Sequence, residues 1–82
     1  MNLKNFRDGL DILSPYYEKP EGYHLGAEHD QIYLYATEKP LAPHHVKQMV
    51  DLGWWQEYER DDPNADFTVD DYRADEGWTT YV

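Results

Sequence analysis

Leu3, Phe6, Leu10, Leu13 and Tyr17 recur at helical spacing, which predicts an amphipathic first helix with one apolar stripe turned to a core. Asn2 stands where an N-cap belongs. Lys4, Arg7, Asp8 and Asp11 fall off the stripe. Gly9 weakens such a helix by ~1 kcal/mol relative to alanine. Pro15 disfavours helical geometry at Ser14 and so ends or kinks it there. Glu18-Lys19-Pro20-Glu21-Gly22 reads as a turn. Two β-prone runs, residues 23–27 and 31–36, flank the polar break Glu28-His29-Asp30 and predict a hairpin. In the second run Ile32, Leu34 and Ala36 alternate with Tyr33 and Tyr35. The aliphatic set should face the helix and the tyrosines the opposite side of the sheet.

A loop over residues 37–43 leads to a second helix, with Pro43 in its first turn and Val46, Met49, Val50 and Leu52 as its apolar face. Gly53 is placed to stop it. Residues 54–58 then read as a third strand. Thr68, followed by Val69, Asp70 and Asp71, reads as the capped start of at most two helical turns. Residues 78–82 read as a fourth strand. The order helix-strand-strand-helix-strand-strand implies an α+β fold: a small two-layer domain with an antiparallel sheet and both helices on one face. The whole chain, residues 1–82, forms one domain, and the pattern does not fix the strand order.

Charge changes this picture in one place. Residues 57–76 carry nine acids against two bases, a net of -7, while the whole chain of 82 residues carries -10. The acids are Glu57, Glu59, Asp61, Asp62, Asp66, Asp70, Asp71, Asp75 and Glu76; the bases are Arg60 and Arg73. Trp54-Trp55 and Trp78 stand at the two ends of the run and should anchor it, so residues 59–76 are expected to be a tethered acidic loop rather than a tail. An aromatic content of 16% also argues against a disordered acidic chain. The charge repels phosphate backbones, so direct nucleic-acid binding is not expected, whereas basic partners are. There is no cysteine to form a disulfide or a thiolate metal site. No run has the length or apolarity of a signal peptide or a membrane span, and the expectation is a soluble, cytoplasmic protein with no membrane partner.

Gly22-Tyr23-His24-Leu25-Gly26-Ala27-Glu28-His29-Asp30, Leu52-Gly53-Trp54 and Asp75-Glu76-Gly77-Trp78-Thr79-Thr80-Tyr81-Val82 resemble segments of small bacteriophage and prophage proteins. The resemblance covers most of the chain and carries no catalytic residues. It implies a phage accessory protein acting in the host cytoplasm, a class that includes inhibitors of host defence.

Candidate chemistry is sparse. His24, Glu28, His29 and Asp30 gather at the hairpin, but zinc needs three or four converging ligands, and adjacent His44 and His45 diverge on a helix. Asp62, Asn64, Asp66, Thr68 and Asp70 follow the odd positions of a calcium loop. Phe67 then replaces its glycine, Arg73 its bidentate glutamate, and Pro63 breaks it further. Ser14 is the only serine and has no nucleophile elbow around it. No enzyme activity and no cofactor are expected.

Tyr33 and Tyr35, with one of Trp54 and Trp55 and with Tyr81, are expected on an exposed sheet face. Aromatic anchors beside carboxylates suit a protein interface, and packing under the acidic loop or in a homodimer is the alternative use of these rings. The leading expectation is a non-catalytic module that presents residues 57–76 as an imitation of nucleic acid to a basic or nucleic-acid-binding host protein, in the manner of an anti-CRISPR. The alternatives are a self-associating structural or regulatory module and a divalent-cation-binding protein.

Overall fold

The computed structural model describes residues 1–19, 21–62 and 64–82. Pro20, in the expected turn, and Pro63, in the acidic run, lie outside them. The order among the described residues is α1 (Leu3–Leu13), a 3₁₀ turn (Ser14–Tyr16), β1 (Leu25–Glu28), β2 (Gln31–Leu34), α2 (Pro43–Asp51), a second 3₁₀ turn (Val69–Asp71) and β3 (Trp78–Tyr81). This is an α+β arrangement with an antiparallel sheet in the order β1-β2-β3. The expected third strand, residues 54–58, is reduced to a single bridge between Trp55 and Thr79 at the far edge of β3. Beyond that bridge the Gln56 side chain bonds the backbone of the acidic loop.

Local signals set the element ends. Asn2 caps α1, its Oδ1 accepting from the Asn5 N–H at 2.7 Å. Pro15 allows one 3₁₀ turn beyond Leu13 and nothing longer. At the end of α2, Gly53 takes φ 98°. Its N–H bonds Val50 O at 3.0 Å, and the Trp54 N–H bonds Met49 O at 3.0 Å. This double closure satisfies the last carbonyls of the helix and needs a residue that tolerates positive φ. It also turns the chain so that Trp54 points inward. In the β1–β2 hairpin, His29 takes up the left-handed turn position with φ 57°.

Sheet register divides the strands into two faces. Leu34 pairs with Leu25 and Trp78, and Ile32 with Ala27 and Thr80. Leu34 and Trp78 join Leu13, Tyr17, Leu41, Val46, Met49 and Trp54 in one core. Both helices therefore feed the same side of the sheet, as the aliphatic alternation implies. Tyr17 donates its hydroxyl to Tyr35 O at 2.5 Å. Burial, aided by the Glu38 carboxylate, pushes that hydroxyl up to about 12, so the donor persists at any physiological pH.

Gly9 has a packing reason to sit inside α1. A Cβ there would lie 2.6 Å from Cε2 and 3.0 Å from Cδ1 of Trp54, and closer still to its Nε1. The buried indole brings its Nε1 edge against Gly9 and stacks on Phe6 at 5.8 Å. Overpacking a core costs about 1–3 kcal/mol, and at this distance the upper part of that range exceeds the ~1 kcal/mol of helix propensity that alanine would restore. Gly9→Ala is accordingly expected to lower the melting midpoint, by roughly 4–8 °C per kcal/mol lost. Thermal melting followed by circular dichroism checks this, and a raised midpoint would show that Trp54 has room to move.

Candidate functional site

The acidic run begins where Gln56 leaves the sheet. Its side chain is 1% exposed and fully engaged. Nε2 donates to Arg73 O at 2.8 Å and to Glu76 O at 3.0 Å, and Oε1 accepts from the Arg73 N–H at 2.8 Å. One amide thus joins the first residues of the loop to its last turn. Phe67 and Tyr72 supply apolar anchors: both rings pack on Trp78 with centroids 5.9 Å away. The Tyr72 hydroxyl also accepts from the Leu41 N–H at 2.8 Å, tying the loop to the segment that leads into α2. None of these three residues was marked by the charge pattern. Two aromatic rings inside an acidic run were the available signal, since a solvated loop has no use for them.

Within the loop, Asp62 Oδ1 accepts from the Asn64 N–H at 3.2 Å, and Asp71 is the acid most fully taken up structurally. Asp71 Oδ2 accepts from the Thr68 N–H at 2.9 Å and Thr68 Oγ1 at 3.3 Å, and pairs with Arg60 Nη1 at 3.3 Å. Arg60 Nη2 also donates to Ala65 O at 2.8 Å. Tyr58 donates its hydroxyl to Asp71 O, and the Arg73 guanidinium lies 4.3 Å over the Tyr58 ring. Tyr58, Arg60, Ala65, Asp71 and Arg73 line an open polar cavity of about 410 Å³ that Glu59, Asp61, Asp62 and Asp70 also line. Asp66 is exposed beside it, and Glu76 is half-buried.

The remaining two acids of the run lie elsewhere. Glu57 and Asp75 line a groove of about 330 Å³ on the outer sheet face together with Tyr33, Tyr35, Gly77 and Thr79. Tyr33 is in register with Thr79, and Thr79 with Trp55, so the three cross the sheet side by side. Trp55 packs on Tyr81 at 5.0 Å, which settles that Trp55, not Trp54, belongs to this face. Beneath the rings, Thr79 Oγ1 donates to Ile32 O at 2.7 Å and accepts from Gln31 Nε2 at 2.9 Å. Gln31 Nε2 also reaches Glu57 Oε2 at 3.3 Å. Burial and the Glu57 and Glu28 carboxylates raise the Tyr33 hydroxyl above its ordinary value. Seven of the nine acids are thus divided between a loop cavity with its own arginines and a tyrosine-walled groove on the sheet, and Asp66 and Glu76 line neither.

The hairpin cluster does not assemble. His24 Nε2 lies 2.7 Å from Lys19 O and its ring stacks on Tyr17 at 4.5 Å, while Glu28, His29 and Asp30 are exposed at the turn. His45 Nδ1 is 2.5 Å from the Tyr16 hydroxyl, which also accepts from the Ala42 N–H at 3.1 Å. Among the described residues no group of three or more His, Asp or Glu comes together as metal ligands, and no helix is long and apolar enough to cross a membrane. Comparison with protein-family models, with curated proteins and with solved structures finds no match to this chain.

Two predictions test how the loop is held. Gln56→Met keeps the unbranched shape and removes three hydrogen bonds, each worth about 0.5–1.5 kcal/mol. It is expected to lower the melting midpoint and to abolish hydrogen-exchange protection of the Arg73 amide; retained protection would show that Phe67 and Tyr72 suffice. The second concerns pH. The Thr68 N–H foremost, then the Thr68 hydroxyl and Arg60, outweigh partial desolvation and hold the Asp71 carboxyl below its ordinary value. Stability from this source is therefore complete above the unfolded carboxyl's pKa of about 4 and is lost as pH falls through the lower folded value. Melting between pH 5 and pH 2 should decline more steeply for the native protein than for Asp71→Asn, and parallel curves would remove Asp71 from the acid transition.

Proposed function

We propose that this chain is a non-catalytic protein-binding module, of the kind bacteriophages encode as accessory proteins, that imitates the charge of nucleic acid. It acts in the host cytoplasm by occupying a basic, nucleic-acid-binding cleft of a host protein, as an inhibitor of defence or of nucleic-acid handling. The observation that carries this reading is that the acidic run is clamped rather than free. Gln56 closes it, Phe67 and Tyr72 seat it on Trp78, and Glu59, Asp61, Asp62, Asp66 and Asp70 are left at the surface. Carboxylates carried on a backbone fixed in advance leave only their side chains to be ordered on binding. Their field speeds encounter with basic surfaces and disfavours acidic ones.

The reading requires salt-dependent capture that nucleic acid competes away. The immobilised protein should retain basic, nucleic-acid-binding proteins from a bacterial lysate at low salt and release them at high salt or on addition of duplex DNA. The combined variant Glu59→Gln, Asp61→Asn, Asp62→Asn, Asp70→Asn should retain far less. Capture that ignores salt, DNA and these four substitutions would refute the imitation of nucleic acid.

A further inference from the structure

We propose that the groove between Tyr33, Tyr35, Glu57 and Asp75 is a docking site for a single arginine side chain of a protein partner. The proposal deepens the reading above and rests on it only for the origin of the arginine. Three observations carry it. The groove pairs two tyrosine rings with two carboxylates in a cavity of about 330 Å³, the size of a small ligand site. No Lys or Arg lines it, and among the described residues neither Glu57 nor Asp75 forms an ion pair. The loop cavity, by contrast, contains Arg60 and Arg73. The groove is therefore the part of the acidic run without an internal cation.

The third observation concerns the type of cation. The chain already places guanidinium groups on rings, Arg73 over Tyr58 at 4.3 Å and Arg60 over Phe67 at 5.8 Å. A planar guanidinium stacks on an aromatic face while its fork of N–H groups bonds carboxylates, whereas an ammonium is a strongly hydrated point charge. A metal ion would need converging ligands that the described residues do not provide. Tyr35 is 60% exposed and can close over a bound side chain without unpacking the core.

The experiment is titration of the isotope-labelled protein, followed by amide chemical shifts, with acetyl-Gly-Arg-Gly-amide and with the same peptide carrying lysine or citrulline. The arginine peptide should shift Tyr33, Tyr35, Glu57, Asp75 and Thr79. Lysine should bind more weakly, and citrulline, planar but neutral, should not bind. Tyr35→Ala, at an exposed position that leaves the fold intact, should weaken the arginine peptide roughly two- to fivefold, the value of an exposed cation–aromatic contact. Glu57→Gln should weaken it as well. Equal shifts with lysine and arginine, or shifts centred on Glu59, Asp61 and Asp62, would overturn the proposal. The two readings can fail separately. If the peptide binds the groove while lysate capture ignores salt and DNA, the imitation of nucleic acid falls and the arginine site stands. If capture depends on salt and DNA but the peptide leaves the groove unshifted, the reverse holds.

Discussion

Confining nine carboxylates to one short run is the constraint around which the rest of the chain is arranged. Two unit charges 10 Å apart repel by only ~0.4 kcal/mol in water, and salt screens that further, but many such pairs act together and an untethered loop would swing outward. The opposing contributions are larger. Fully burying an aromatic side chain contributes about 1.5–3 kcal/mol, and Phe67 and Tyr72, both partly buried, pack against the core at Trp78. The Gln56 amide adds three hydrogen bonds in a site that water does not reach. Arg60 adds an ion pair with its side chain 16% exposed, better shielded than the two helix-surface pairs. The acids can stay at the surface because neutral residues between them hold the backbone down.

That clamp depends on the end of α2. Gly53 closes the helix and reverses the chain, sending Trp54 into the core and Trp55 to the outer face. The Trp55–Thr79 bridge then fixes Gln56 beside the far end of the loop. Gly77 belongs to the same construction. A Cβ there would strike the Leu34 carbonyl oxygen, so only glycine lets the chain leave the loop and pass against β2 before β3 begins. Gly9 does the equivalent for Trp54 on the helix side. Each of these glycines is explained by a close approach or a reversed backbone that places an aromatic ring or the loop end.

Most of the fold was legible in the sequence because it is written in periodicity. Leu13 on α1 and Tyr17 just past the 3₁₀ turn that follows it, Ile32 and Leu34 on β2, and Val46 and Met49 on α2 lie on the faces their spacing implies. The strand expected over residues 54–58 was not legible in that way. Its alternation is real, with Trp54 and Gln56 buried and Glu57 exposed, but alternation does not reveal whether the backbone finds a partner strand, and here it pairs only at Trp55. The site was half legible. Charge counting found the acids and alternation found Tyr33, yet neither distinguishes an acid held by a backbone N–H, as Asp71 is, from one facing solvent. That difference arises from contacts between residues far apart in sequence, such as Arg60 with Asp71 and Gln56 with Glu76.

The division of the acids also changes what the net charge means. Summed along the sequence, residues 57–76 look like one uniform negative segment. In space, Arg60 and Arg73 lie on the loop-cavity side, where they partly compensate Glu59, Asp61, Asp62, Asp70 and Asp71. Glu57 and Asp75, only two of the nine, share their groove with tyrosines and no base. Local field depends on what stands within a screening length of about 8–10 Å, not on the total. The loop cavity therefore suits diffuse attraction of a basic surface, which sets encounter rate and salt dependence. The groove, with two tyrosine rings and two carboxylates that no base compensates, suits recognition of one side chain. On the proposed reading, steering and selection would fall to neighbouring but separate parts of the same acidic run, and Gln56, whose amide bonds the backbone at Arg73 and Glu76 on either side of Asp75, fixes the position of one relative to the other.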